Sequence, residues 1–413
     1  MIGEVRIENY KSIQKLKLEL GRVTVLIGEN GCGKSNILEA IALASAAASD
    51  KLDNEFLAAR GVRVTEPRFM RSAFERKNLV KNIKIDIKEN QGENFSYLLH
   101  NDNYPYSDWE NKILSAKAIY LKNLVSYSRQ RQNVISTNQK NKPEKVSLEA
   151  FKKSIKALEG GLEDELEAGL NPKTVQELLL LLGSINRMFS PDHLIDFTIY
   201  SPENQALRTF EKEGQIQPLG INGEGLFKLI NVLNAEQNQD KLNQIKEKLR
   251  LIDWFKDFEV PQNLSAMQTS LQITDRYLDA DLSYFDQRSS NEGFLFLLFY
   301  FTLFISELTP KFFAIDNIDA SLNPRLCRRL IEELVELAKK NDKQVIFTTH
   351  NPAVLDGLDL DDDEQRLFVI YRSQLGHTKA IRILKPEPLE GQESVSLSEA
   401  FLRGYIGGLP KNF

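Results

Sequence analysis

Residues Gly28-Glu-Asn-Gly-Cys-Gly33-Lys34-Ser35 form a G-x-x-x-x-G-K-S run, and that spacing is suited to holding a polyphosphate. Gly28, Gly31 and Gly33 let the backbone wrap closely around the ligand, and the amides of Asn30, Cys32 and Asn36 join a helix N-terminus in cradling its charge. Lys34 is placed to reach the β- and γ-phosphates of ATP, and the Ser35 hydroxyl to take one Mg²⁺ coordination position. A thiol at a helix N-terminus tends toward a lowered pKa, but Cys32 is assigned no role beyond its backbone amide.

The flanking residues supply the context this loop needs. Val23 to Ile27 make a short buried strand, and Asn36 to Ala48 a helix with Ile37, Leu38, Ile41 and Ala44 on one face. Upstream, Gly3 to Asn9 and Gln14 to Leu20 alternate around Tyr10-Lys11-Ser12, a hairpin whose lysine points either at the nucleotide or into solvent. Ile83 to Ile87 and Phe95 to Leu99 form a second hairpin, whereas Asp50 to Lys77 offers no firm period. In the second half, Gly223 to Leu233 and Asp240 to Phe255 read as helices, and Ser289-Ser-Asn-Glu-Gly293 opens a long apolar helix. Lys311 to Ile315 is a buried strand ending in Asp316-Asn317, and Leu322-Asn-Pro324 starts an amphipathic helix. A further buried strand, Gln344 to Thr348, leads to His350.

The chain has 413 residues, 42% hydrophobic and 27% charged, and so reads as a soluble globular protein with room for two lobes. Its most apolar run, Phe294 to Ile305, is short of the roughly 20 residues of a membrane span, and no signal peptide is visible. Cys32 and Cys327 cannot build a disulfide framework, which points to a reducing, cytoplasmic setting. A net charge of −5 gives no global argument for nucleic acid. Residues 117–156 nevertheless hold ten Lys or Arg against two Glu, a patch able to meet DNA phosphates or to remain a solvated face. The expected organisation is a first head segment at 1–121, a mainly helical insertion for partner contact at 122–215, and a second head segment at 216–413.

The order of phosphate loop, SSNEG, FFAIDNID, SLNP and VIFTTH resembles the ABC-type ATPases of the SMC, RecF and OLD group, often described as AAA-like. The resemblance covers residues 1 to about 120 and 216 to about 385. It implies an α/β P-loop head with an antiparallel N-terminal sheet, binding ATP and Mg²⁺, and a head-to-tail dimer or higher oligomer that sandwiches two ATP molecules. By the same resemblance Asp316 orients the metal and His350 is the switch histidine. Ser290 or Ser289, with Gly293, is the signature that reaches the partner's γ-phosphate, although Asn291-Glu292 break the usual spacing. Gln130 and Gln132 are the candidates for the metal-watching glutamine.

The departure that matters is Asn317, which stands where this group has a water-polarising Glu. An amide cannot accept a proton, so tight ATP binding with slow or partner-dependent hydrolysis is expected, unless Asp319 acts through a water. OLD-type proteins carry a TOPRIM nuclease after the switch histidine, and the 63 residues following His350 are too few for one. The DLDDDE run at 359–364 reads as solvent-exposed acids rather than a metal site. The tail Ser396 to Phe413 resembles ATPase subunits of two-gene phage-defence systems such as PARIS or retron-linked ATPases. The resemblance thus implies an ATP-gated subunit controlling a separate effector, with a RecF-like DNA-maintenance ATPase as the alternative.

Overall fold

The computed structural model describes residues 1–90, 92, 94–104, 107–112, 191–209, 215–235, 239–260, 271–279, 281–282, 284–385 and 395–409. The basic stretch 117–156, Gln130, Gln132 and the end of the tail, 410–413, lie outside the described residues, as does most of the expected insertion.

Two sheets form the frame. Strands β1 (Ile2–Tyr10) and β2 (Ile13–Glu19) are the expected first hairpin, turning at Lys11-Ser12. With β4 (Ile83–Glu89), β5 (Asn94–His100) and β6 (Glu110–Asn111) they build an antiparallel sheet of order β2-β1-β4-β5-β6. The second sheet has order β13-β12-β3-β11-β10-β7 and contains β3 (Val23–Ile27), β7 (Ile199–Tyr200), β10 (Phe312–Ile315), β11 (Gln344–Thr349), β12 (Gln365–Arg372) and β13 (Thr378–Ile383). All its pairings are parallel except β12 with β13.

The apolar runs noted in the sequence are continuous because these strands are covered on both faces. In β3, Val23, Val25 and Ile27 face one core and Leu26 the other; in β10, Phe313 and Ile315 oppose Phe312 and Ala314. Helix α1 (Lys34–Ala48) fills the space between the two sheets, and its run of alanines lets it sit there almost wholly buried. On the far face pack α3 (Leu226–Ala235), α4 (Gln239–Leu249), α5 (Glu292–Ile305) and α6 (Pro324–Lys340). Helix α5 is apolar all round because it is buried all round, with Phe304 edge-on to Phe313 at 5.2 Å. Among the described residues no helix is long and apolar enough to cross a membrane.

The sequence reading needs three corrections. The segment 191–209 does not belong to the insertion: β7 extends the parallel sheet, Phe197 packs on Phe312 at 4.6 Å, and a two-residue strand is too short to show a period. The stretch after Asp50 holds α2 (Asn54–Ala59), capped by Asp53, and a single helical turn at Pro67–Met70. Helix α4 stops at Leu249, because Phe255 and Phe258 are claimed by β8 (Phe255–Glu259), paired to β9 (Gln272–Asp275).

Beyond the C-terminus of α5 the chain is held by a buried ammonium. Lys343 Nζ donates to the carbonyls of Ser306 and Thr309 at 2.9 Å and of Pro310 at 3.2 Å, and also to Thr309 Oγ1. Replacing it with methionine removes the donor shown for the Thr309 and Pro310 carbonyls, while the Ser306 carbonyl keeps Thr309 Oγ1, so Lys343→Met is expected to lower stability by about 1–3 kcal/mol in urea titration. An unchanged midpoint would show these acceptors to be satisfied in another way.

Candidate functional site

The phosphate loop joins β3 to α1 through two glycines in the left-handed region, Gly31 at φ +74° and Gly33 at φ +109°. A Cβ on Gly33 would lie 2.2 Å from Thr378 Oγ1, so glycine is needed there for space as well as conformation. Gly33 caps α1 without a side-chain hydrogen bond, and no acid occupies the first turn. The helix N-terminus therefore presents bare amides and an uncompensated positive dipole. Lys34 folds back on the loop, its ammonium 2.8 Å from the Gly28 carbonyl and 3.1 Å from that of Glu29, and burial lowers its pKa. Burial raises the pKa of the Cys32 thiol, reversing the effect expected of the helix N-terminus.

The parallel register brings the next residues to the same sheet end, since Ile315 pairs with Phe347 and Thr349 with Ile27. Asp316 emerges there, its amide donating to the Tyr200 carbonyl at 2.8 Å. Its carboxylate is held from both sides: Ser35 Oγ donates to Oδ2 at 2.9 Å and Thr348 Oγ1 to Oδ1. Asn317 follows in the left-handed region at φ +58°, exposed, with its amide donating to Thr348 Oγ1 at 2.9 Å. Asp319 accepts from Thr349 Oγ1 at 2.6 Å. His350 sits at the rim, where partial burial first and Lys34 second lower its pKa, Asp319, Asp316 and a hydrogen bond to the Gly28 backbone opposing them. On balance the neutral imidazole is favoured. Lys34, Ser35, Asp316, Asp319 and His350 converge in one place, with Asn317 at its edge.

The signature residues are arranged differently from expectation. Ser290 is buried and its hydroxyl donates to the Gln287 carbonyl at 2.8 Å, so it is not presented outward. Ser289 is exposed, donating to Asp286 at 3.3 Å, while Asn291 caps α5 by accepting from the Phe294 amide at 2.9 Å. Arg208 fixes this turn by donating to the carbonyls of Arg288 and Ser290 at 2.9 Å. Among the described residues no hydrogen bond joins Ser290 or Gly293 to the phosphate loop of the same chain.

Sequence reasoning missed several groups that build the site. Arg63 donates to Glu39 and, at 3.1 Å, to Asn36 Oδ1; Asn36 in turn donates to Ser12 at 2.6 Å. Lys11 lies in neither of the places considered for it, but is ion-paired to Glu39. Thr378 Oγ1 donates to the Cys32 carbonyl at 2.8 Å, and Arg372 Nε to that of Gly31 at 2.9 Å. Lys11, Ser12, Asn36, Arg63, Phe74 and Arg372 line a cavity of about 470 Å³ that shares Ser12 and Asn36 with these contacts. Each link spans a large sequence separation and belongs to no contiguous motif. Only Thr348 had a visible cue, as the polar end of a buried strand.

These residues fit a magnesium–polyphosphate. Ser35 and Asp316 offer two adjacent oxygens, and Mg²⁺ takes its remaining ligands from phosphates and water, so a dense carboxylate cage is not required. Among the described residues there is no group of three or more His, Cys, Asp or Glu able to hold a metal. In the DLDDDE run, Asp361, Asp362 and Asp363 are paired with Lys385, Lys339 and Arg382.

A phosphate loop between an antiparallel sheet and a mainly parallel one, with an Asp-ended strand beside it, is an α/β P-loop fold of the kind seen in SMC heads. The chain belongs to the AAA ATPase domain family, whose model matches residues 1–355. A crystal structure of an SMC head bound to the C-terminal winged-helix domain of ScpA superposes with a TM-score of 0.52 at 14% identity, covering 93% of this chain and 98% of that one. The SMC head of Thermotoga maritima gives 0.44 at 15% identity, over 92% and 98%. The DNA replication and repair protein RecF of Bacillus thuringiensis (strain Al Hakam) is 40% identical over 55 residues, 13% of this chain and 15% of RecF. RecF of Bacillus cereus (strain B4264) matches to the same extent, so the alignment spans about a seventh of these curated relatives.

Because Thr348 holds both Asp316 and the Asn317 amide, Thr348→Val is expected to weaken magnesium-dependent binding of a fluorescent ATP analogue on the order of 10- to 100-fold. Unaltered magnesium dependence would show that the hydroxyl does not position the carboxylate.

Proposed function

We propose that this head binds ATP with Mg²⁺ at Gly28, Asn30, Gly31, Cys32, Gly33, Lys34, Ser35 and Asn36 and hydrolyses it slowly. Bound ATP would then act as a gate that holds two heads together and controls a separate effector protein, a nuclease, in bacterial antiviral defence. The observation that carries this reading is Asn317, an amide at the position after the metal-orienting Asp316. When bound, Mg²⁺ would neutralise phosphate charge. Lys34 is placed to leave the loop carbonyls for the phosphates, and Ser35 and Asp316 to fix the cation. His350 is placed to donate to a phosphate oxygen from its imidazole. Nothing at 317 can take a proton from the attacking water, and the nearby Asp319 accepts from Thr349 through Oδ1, leaving Oδ2 as the one carboxylate oxygen through which it could act by way of a water.

A protein partner is supported by likeness of fold, since one similar SMC head was crystallised with a ScpA domain; dimerisation rests on the resemblance of the motifs. The defence role rests on the resemblance of the tail. A DNA-maintenance reading is favoured by the local match to RecF, and it requires binding through 117–156. Steep loss of DNA affinity between about 50 and 200 mM salt would support that second reading.

Phosphate release by the wild type is expected below about one per second, with Asn317→Glu faster and Lys34→Ala unable to bind ATP. Wild-type turnover at or above that rate would overturn the weak-base reading. Light scattering should show a heavier species with ATP and Mg²⁺ than without; a single mass in both would reject the ATP-held dimer.

A further inference from the structure

The apolar helix α5 is entered through a turn, Asp286 to Ser290, that is held by a residue from a distant part of the chain. Inside the turn the Asp286 carboxylate accepts from the amides of Arg288 and Ser289 at 3.0 and 3.1 Å, and the buried Gln287 side chain accepts from the Leu271 amide at 2.8 Å. The outer carbonyls go to Arg208. Its Nη1 donates to the carbonyls of Gln287 and Arg288, Nη2 to that of Ser290, and Nε to Asn204 Oδ1 at 3.1 Å. Each of these acceptors is an uncharged amide oxygen, so the guanidinium serves here as a rigid fork rather than as half of an ion pair.

The anchor for this fork is the chain leaving β7. The Tyr200 carbonyl accepts from the Asp316 amide; directly after it the Ser201 amide donates to the Ile221 carbonyl at 2.8 Å, and the Glu203 amide to that of Asn222 at 2.9 Å. A 3₁₀ turn, Ala206–Arg208, follows, and its Leu207 is fully buried in the same core as α5. One short, tied segment thus runs from the backbone partner of the metal-orienting carboxylate to the entry of α5.

What the entry presents lies outward. Arg288, Ser289, Asn291 and Glu292 are exposed, and Gly293 stands in the first turn of α5, where a Cβ would meet nothing closer than 3.6 Å. Neither packing nor a positive φ requires glycine there, and glycine weakens a helix relative to alanine, so the space it leaves open is available to a group from outside the chain. Amides at a helix N-terminus favour anionic oxygens. Side-chain charge would oppose them without Arg208, because Asp286 and Glu292 outweigh Arg288 by one negative charge and the guanidinium brings the sum to zero. Among the described residues the turn makes no hydrogen bond to its own phosphate loop, so the triphosphate that fits it is one held by a second copy.

We propose that Arg208 is the positioning residue for the pairing of two heads around ATP: it holds the 286–290 turn in shape and offsets its acids, so that the entry of α5 can meet the triphosphate of a second copy. This rests on the ATP-held pair proposed as the function. The test uses the full-length chain and two readouts, binding of a fluorescent ATP analogue with Mg²⁺ and mass by light scattering over a range of protein concentrations. Arg208→Met is expected to leave nucleotide affinity within about twofold of wild type while raising the concentration needed for the heavier, ATP-dependent species about tenfold or more. Arg208→Lys keeps the charge and loses the fork, and should fall between the two. If Arg208→Met does not fold, Arg208→Lys is read against wild type in the same assays. A folded Arg208→Met chain, or Arg208→Lys in its place, that pairs at the wild-type concentration overturns the assignment. So does a parallel loss of nucleotide affinity, which marks a general structural role. A wild type that binds the analogue and never forms the heavier species rejects the pairing itself, and the role of Arg208 with it.

Discussion

Everything in the candidate site depends on the Asp316 carboxylate being pinned between two hydroxyls. Ser35 lies in the first turn of the phosphate-loop helix and Thr348 near the end of β11, and they reach Asp316 across 281 and 32 residues of sequence. That convergence is a consequence of parallel register: β3, β10 and β11 end together, so whatever follows each strand meets at one edge. The two-sided apolar character of the strands fixes the register, because a one-residue slip would exchange the residues facing the two cores. The chemistry at the strand ends is in this sense set by the packing behind it.

The parts of the site legible in the sequence were those encoded over short distances. The loop from Gly28 to Ser35 carries its own spacing, and the strands before Asp316 and His350 declare themselves as apolar runs. The antiparallel sheet was visible in part, as two hairpins of alternating residues. Arg63, Arg372 and Thr378 were not legible, because their importance comes from backbone carbonyls and side chains supplied by distant elements. The same holds for β7, whose two residues have no period of their own but give Asp316 its backbone partner. For the signature the spacing leaves Ser289 and Ser290 open, and the turn fixed by Arg208 directs the Ser290 hydroxyl to Gln287 while Ser289 stays exposed.

The loop is braced as well as built. Thr378 and Arg372 hold its carbonyls from β12 and β13, and the tail helix α7 (Leu397–Leu402) leads to Gly408, where a Cβ would lie 3.8 Å from the Gly28 Cα and 2.8 Å from Val369. Gly408 has φ +84°, so conformation and space both favour glycine. The C-terminal third of the head therefore touches the same backbone that Lys34 and His350 contact.

Asn317 deserves a physical account beyond its missing base. Its backbone occupies the left-handed region, where asparagine is several-fold enriched and most other side chains are strained. The conformation is imposed by the turn, since the Asn317 amide donates to Thr348 and the Ile318 amide to the Thr348 carbonyl. A longer acid here would have to accept that backbone to keep Asp316 and Thr348 in register, at roughly 1 kcal/mol of conformational cost. The amide thus suits the turn that orients the metal carboxylate while removing a charge from beside a triphosphate. On the reading proposed for its function, a head built this way would hold its nucleotide rather than turn it over, as a gate requires.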